Sequence, residues 1–298
     1  FGTGNLVGIR ITSPSGVNYS TAIEYPVLGS TARQVTVQNP EAGIWRLEVR
    51  GARGLTAAPQ ASSPIQVASP GPVNGNVVQV KYILPNIPDI IDHPQRTEIE
   101  AALKNRVLDT YANGSFSPNQ IVTREDLARA LVLNAPLRQS IGATPKFADV
   151  SGDLLRIAEA VTAKGSTLRD YNFVPNGMMS FSGNSFNPNG SVNRLDLAVA
   201  LVRALGHDAQ ARSLANSTVT FNGTALSDNA QIPPALRGYV QIAINNNLFE
   251  AFPAEVIQIA PGQFQALPGP RFEPNTTVSR ATLAVKLNAY RQLFVTGS

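Results

Sequence analysis

Three arginines, Arg124, Arg194 and Arg280, occupy the same place in a repeated phrase. The phrase reads F-x-P-N-x-x-V-x-R: FSPNQIVTR from Phe116, FNPNGSVNR from Phe186 and FEPNTTVSR from Phe272. Each copy runs into a leucine- and alanine-rich stretch, REDLARALVL, RLDLAVALVRAL or RATLAVKLNAYRQL, so each arginine falls at the first position of an expected helix. The positive end of the helix dipole disfavours a cation there by about 0.3–1 kcal/mol. A placement repeated against that gradient points to a fixed partner for each guanidinium. One candidate partner is an anionic ligand, held jointly by the arginine and the free N–H groups of the first helical turn. The other is a carbonyl or carboxylate of the neighbouring copy.

The rest of the phrase builds structure. Pro118, Pro188 and Pro274 fix a bend, and Asn119, Asn189 and Asn275 are turn formers. Thr123, Asn193 and Ser279 are each suited to the N-cap of the following helix. Asp126 and Asp196 lie three residues further on and give approximate capping boxes, whereas Thr282 is a poorer substitute in the third copy. Leu127 with Leu131, Leu197 with Leu201, and Leu283 with Leu287 are i,i+4 pairs that bury one helix face.

A helical segment also precedes each copy: PQRTEIEAALKNRVL, SGDLLRIAEAVTAK and PPALRGYVQIAINNNLF. The unit is therefore helix, loop, motif, helix, used three times with different insertions. DTYANGSFSP is short in copy one, while the loops of copies two and three are long. The copy-three loop holds an expected hairpin, EVIQI and QFQAL flanking Pro261-Gly262. Met178, Met179, Phe181, Phe252, Ile257 and Phe264 in these loops either pack or fill a groove.

The first 85 residues carry a different period. LVGIRIT puts Val7, Ile9 and Ile11 on one face, IWRLEVRG puts Trp45, Leu47 and Val49 inward, and NVVQVKY does the same with Val78, Val80 and Tyr82. Turns punctuate the region and no helical period interrupts it, which predicts a small antiparallel β-sandwich over 1–85 with Trp45, Leu47 and Val49 inside. Proline-rich ILPNIPDIIDHP marks a linker or boundary near 83–94.

Composition limits the chemistry. The 298 residues are 43% hydrophobic and 15% charged, a globular balance with material for two domains. A net charge of +4 without a Lys/Arg run gives no sign of nucleic acid. The absence of cysteine excludes disulfides, thiolate catalysis and Cys-ligated zinc. No run reaches the ~18 apolar residues of a membrane span. His93 and His207 lack a triad setting, no G-x-S-x-G occurs, and the acidic residues are too dispersed for a carboxylate dyad or an EF-hand. Asn216 and Asn222, each in Asn-x-Ser/Thr, read as turns. No catalytic site, metal site or cofactor is expected. Because FGTGNLVGIRI enters a strand at once, the chain reads as a piece of a longer precursor whose upstream domain is a further partner.

Two resemblances bear on these patterns. GSFSPNQIVTRED, NSFNPNGSVNRLD and PRFEPNTTVSRAT resemble the closing phrase of S-layer homology (SLH) repeats, and FADV at Phe147 and Asp149 resembles the opening of a repeat. ALSDN around Asp228 and IPDI around Asp89 are weaker versions of that opening. The likeness covers about residues 86–294. It implies repeats at approximately 86–140, 145–208 and 225–298 within an SLH region 86–298, arranged about a pseudo-three-fold axis with grooves between neighbours. It also implies non-covalent attachment to cell-wall polysaccharide, often pyruvylated, and an extracellular or cell-envelope location. Carried over, the candidate ligand-binding residues are Arg124, Thr123, Gly114, Asp126, Arg194, Asn193, Arg280 and Ser279. The departures are Thr282 in place of the closing acid, the missing first-helix tryptophan, and a leading glycine clear only as Gly114. Separately, VQNPEAGIWRLEV resembles a strand-turn-strand of β-domains that follow the catalytic domain in secreted subtilisin-like proteases. That leaves two readings: a wall anchor, or a structural or regulatory extension of such a protease whose degenerate repeats bind no glycan.

Overall fold

The computed structural model describes residues 7–20, 35–37, 40–51, 71–79, 83–135, 145–165, 167 and 177–296. The chain divides into two units, Phe1–Tyr82 and Ile83–Ser298.

In the first unit, β1 (Val7–Thr12), β2 (Asn18–Ser20) and β3 (Arg46–Gly51) form one antiparallel sheet in the order β2-β1-β3. Ile9 pairs with Val49 and Ile11 with Leu47, so the period-2 pattern assembles these side chains on one face as expected. Their burial differs from the expectation. Leu47 is 49% exposed, Val49 is 44% exposed, and Trp45 is half-buried just outside the strand. Trp45 is held locally instead: its indole N–H donates to the Glu41 carbonyl at 3.0 Å and its ring lies 5.9 Å from that of Tyr19. Among the described residues no second sheet covers the apolar face. Residues 71–79 contain no strand, and Val78 is 69% exposed; Val80 and Tyr82 lie outside the described residues.

The second unit is mainly helical. Its elements are α1 (Arg96–Lys104), α2 (Arg124–Asn134), α3 (Gly152–Thr162), α4 (Arg194–Ala204), α5 (Asp208–Ser213), β4 (Thr220–Phe221), β5 (Thr224–Ala225), α6 (Arg237–Asn245), β6 (Glu255–Ala260), β7 (Gln263–Leu267) and α7 (Arg280–Thr296). The leucine pairs of α2, α4 and α7 are at most 1% exposed and join one continuous core. Burying each such side chain is worth about 1.5–3 kcal/mol relative to exposure. The first helix of each copy packs on the second helix of the copy before it: α3 on α2, α6 on α4, and α1 on α7. The last pairing joins the two ends of the unit.

β6 and β7 pair antiparallel around Pro261-Gly262, the hairpin read from the sequence. Its base is pinched by reciprocal Phe252–Arg271 backbone hydrogen bonds of 2.8 and 3.0 Å. Met178 and Met179 are buried in the core, whereas Phe181 and Phe264 are exposed. The proline-rich stretch read as a linker or boundary starts at the division between the units and is built into the second one, with Ile87 and Ile90 buried at a 3-10 turn over Pro88–Ile90.

That turn presents Asp89, and the same device recurs. Asp89 accepts from the Phe116 and Ser117 amides at 3.0 and 2.6 Å, and Asp149 from the Phe186 and Asn187 amides at 2.9 and 2.7 Å. Asp228 accepts from the Phe272 and Glu273 amides at 3.0 and 2.6 Å. Each clasp holds a motif residue at positive φ: Ser117 at 56°, Asn187 at 56° and Glu273 at 58°. Backbone in that region is strained by order 1 kcal/mol without glycine, and two charge-assisted bonds offset the strain.

The Ser185 hydroxyl and then the Phe186 amide hold the Asp149 carboxyl down at about 2, against 3.8 when unperturbed. Its folded value is the lower one, so its contribution is complete above about pH 4 and is lost as pH falls towards 2. Thermal unfolding followed from pH 6 to pH 2 is expected to show a shallower acid decline in Asp149→Asn than in the parent. Identical acid declines would contradict the clasp.

Candidate functional site

Each motif first sets its own helix entrance. Thr123 forms a full capping box with Asp126: its hydroxyl accepts from the Asp126 amide, and the carboxylate accepts from the Thr123 amide at 2.9 Å. Asn193 accepts from the Asp196 amide at 2.7 Å, and Ser279 accepts from the Thr282 amide at 3.2 Å. All three residues immediately precede their helices. These caps satisfy one donor of each first turn.

The remaining first-turn donors reach across to the next copy. The Arg124, Arg194 and Arg280 amides donate to the carbonyls of Gly190, Thr276 and Gln120 at 2.8, 2.9 and 2.9 Å. The Glu125, Leu195 and Ala281 amides donate to Pro188, Pro274 and Pro118. The motif valines close a smaller cycle, Val122 to Val278, Val278 to Val192 and Val192 to Val122, at 2.8–2.9 Å.

The arginine side chains complete the arrangement. Arg124 Nε donates to the Phe186 carbonyl at 2.8 Å, Arg194 Nε to Phe272 at 2.9 Å, and Arg280 Nε to Phe116 at 2.8 Å. A second nitrogen of each donates to another carbonyl in the same neighbouring copy: Ser180 at 2.5 Å, Glu250 at 3.2 Å and Asp109 at 2.9 Å. This geometry supplies partners in the neighbouring copy, carbonyls for all three arginines and also the Glu250 carboxylate for Arg194. A planar fork with fixed donors suits two carbonyls in a way that a lysine ammonium does not.

The three arginines differ in exposure and company. Arg194 and Arg280 are buried, at 4% and 5%, whereas Arg124 is half-buried and opens towards solvent. Burial pulls the Arg124 guanidinium below its ordinary value, and the Asp196 and Asp149 carboxylates act against that pull. Arg124 lies 4.9 Å from the Phe186 ring centre, in a cluster continued by Phe147, Phe181 and Lys146. The Lys146 ammonium lies 3.8 Å from the ring centre of Phe181, which is 44% exposed. The surroundings of Arg124 thus hold two cations and an exposed ring. Arg194 is surrounded by Phe249, Phe252 and Phe272 and is paired with Glu250, while Arg280 lies over Tyr111 and Phe116.

The candidate residues therefore do not form one site. Thr123 and Asp126 cap α2 beside Arg124, Asn193 caps α4 beside Arg194, and Ser279 caps α7 beside Arg280. Gly114, read from the sequence as part of the Arg124 site, turns at φ 83° and donates to the carbonyl of Tyr111, the residue under Arg280. The reason is geometric: an arginine reaches the loop of the following copy, so its surroundings come from a loop distant in sequence.

Sequence reasoning gave no role to Asp89, Asp149 and Asp228, although their F-x-D-V-like settings marked them. It did not single out Lys146, Glu250 or Lys286. Lys286 was detectable, because it shares the Leu283, Leu287 and Tyr290 stripe of α7 and is 6% exposed.

An S-layer homology domain is found at residues 86–128, which takes in the Asp89 clasp, α1, the first motif and the start of α2. Such domains are non-catalytic anchoring modules that bind cell-wall polysaccharide, and the match implies a cell-surface or envelope protein. No curated protein matches the chain. No described helix is long and apolar enough to cross a membrane.

Removing Arg280 leaves two carbonyls without their donor inside the unit. Arg280→Ala is expected to cost about 2–4 kcal/mol in chemical denaturation. Arg280→Lys is expected to recover only a minor part of that, since one ammonium cannot reproduce the fork. A loss under about 0.5 kcal/mol, the ordinary surface value, would contradict the structural role.

Proposed function

We propose that residues 86–298 form three S-layer homology repeats around a pseudo-three-fold axis, and that they anchor a secreted or cell-surface protein non-covalently to anionic cell-wall polysaccharide. The observation that carries this reading is that the motif inside the matched stretch 86–128 recurs twice, with the same caps, clasps and arginine bonds. The groove at Arg124 is the proposed glycan contact. Its half-exposed guanidinium and Lys146 suit a carboxylate such as a pyruvyl ketal, and the exposed Phe181 ring suits the apolar face of a sugar. Thr123, Asp126, Asn193, Ser279 and Gly114 serve that function by shaping helix entrances and loops. In this reading residues 1–85 are a small β-domain like those downstream of the catalytic domain in secreted subtilisin-like proteases.

A second reading keeps the fold and drops the ligand: a structural or regulatory extension of such a protease. The engagement of all three arginines and their first-turn amides within the chain favours it.

Retention on purified cell-wall sacculi separates the readings. Saturable retention is expected, and Arg124→Ala is expected to weaken it about tenfold or more with the protein still folded, from loss of a charge-assisted contact of roughly 1.5–3 kcal/mol. Arg280→Ala, compared at equal folded fraction, is expected to weaken it less because that guanidinium is buried. Normal retention of a folded Arg124→Ala protein would remove the proposed contact, and no retention of the parent would select the second reading.

A further inference from the structure

Among the described residues, the surroundings of Arg194 contain a charge arrangement that those of Arg124 and Arg280 lack. Two buried cations, Arg194 from α4 and Lys286 from α7, converge on one carboxylate, that of Glu250. Arg194 Nη1 donates to Glu250 Oε1 at 3.3 Å, and Lys286 Nζ donates to Glu250 Oε2. Phe249 faces both cations, with its ring centre 5.2 Å from the Arg194 guanidinium carbon and 4.9 Å from Lys286 Nζ. Phe252 and Phe272 enclose Arg194 further, at 4.5 and 5.1 Å.

The other acids nearby are engaged elsewhere. Glu273 and Glu255 pair with Arg271, and Asp228 holds the Phe272 and Glu273 amides. Among the described residues, Glu250 is therefore the carboxylate that bonds both Arg194 and Lys286. Two buried cations in an aromatic enclosure require a counter-charge, because an unpaired buried charge is costly. The cations are only 5% and 8% exposed in their side chains, whereas that of Glu250 is 51% exposed. The anion thus stands at the mouth and the cations form the floor.

We propose that Arg194 and Lys286 form a carboxylate-binding site that the chain occupies with its own Glu250, so that this groove is closed to external anions. Glu250 presents two oxygens to two cationic donors, the same contacts that a small free carboxylate would make. Asp109, at the corresponding place beside Arg280, offers that arginine its carbonyl, while its side chain pairs with Arg106. Among the described residues, self-occupation is therefore particular to the copy-two and copy-three groove. The proposal does not depend on wall attachment, since acetate alone tests it.

The test is thermal unfolding of the full chain in sodium acetate against sodium chloride at matched ionic strength, for the parent, Glu250→Ala, and Glu250→Ala/Lys286→Met. Glu250→Ala is expected to unfold at lower temperature than the parent. Acetate at about ten times its dissociation constant is expected to raise that temperature by roughly 3–6 °C, saturably. The parent and the double variant keep the Arg124 groove unchanged, so their acetate-specific rise is the common background above which the Glu250→Ala rise is read. The absence of a rise in Glu250→Ala, or an equal rise in the parent, would overturn the proposal. If Glu250→Ala does not fold in chloride, refolding in acetate replaces the thermal readout: recovery supports self-occupation and no recovery overturns it. Loss of sacculus binding with this acetate response intact would reject the wall reading alone.

Discussion

A guanidinium at the first position of a helix, bonded to two carbonyls of the next copy, is the constraint on which the second unit depends. Electrostatics at a helix start works against a cation, so the placement is stable only if the partners are fixed in advance. The Asp89, Asp149 and Asp228 clasps fix them. By holding the residue after each motif phenylalanine at positive φ, they set the turn from which that phenylalanine's carbonyl accepts the arginine. The phenylalanine rings are fully buried, so the turn is anchored to the core from the other side. Each arginine therefore reads whether the neighbouring copy has formed its clasp.

The cycle closes because the third copy reaches the first. Arg280 bonds Phe116 across most of the unit's sequence, and α1 packs on α7 in the same region. A chain that makes such contacts must order a long loop before they reward it, which ties the copies into one cooperative structure. The hairpin of β6 and β7 shows how variation is accommodated. It lies between Glu250 and Arg271, and both ends of that insertion keep their bonds to the frame.

Local features were legible in the sequence. The N-caps, the buried leucine pairs and the hairpin depend on neighbouring residues, so residue type and spacing were sufficient. What depends on the next copy was not legible. Arginine position announced a partner but left a ligand and a carbonyl or carboxylate of the neighbouring copy open, and Gly114 was grouped with Arg124 because both belong to the first motif copy, although its turn bonds the residue under Arg280. Glu250 went unnoticed because it meets Arg194 and Lys286 only when three distant segments converge. In the first unit, alternation put Leu47 and Val49 on one face of the strand, where they pair with Ile11 and Ile9. It carries no information on whether anything covers that face, and both are exposed.

The central claim is that the three motif copies form one closed, mutually dependent ring. Native-state hydrogen exchange at the Val122, Val192 and Val278 amides tests it most directly, because each donates to another motif valine. One common opening free energy is expected for the three, equal to that of global unfolding, with an equal fall in all three when Arg280 is replaced by alanine. Protection retained at Val192 while Val122 and Val278 lose theirs would contradict it, since the copies would then be stable independently.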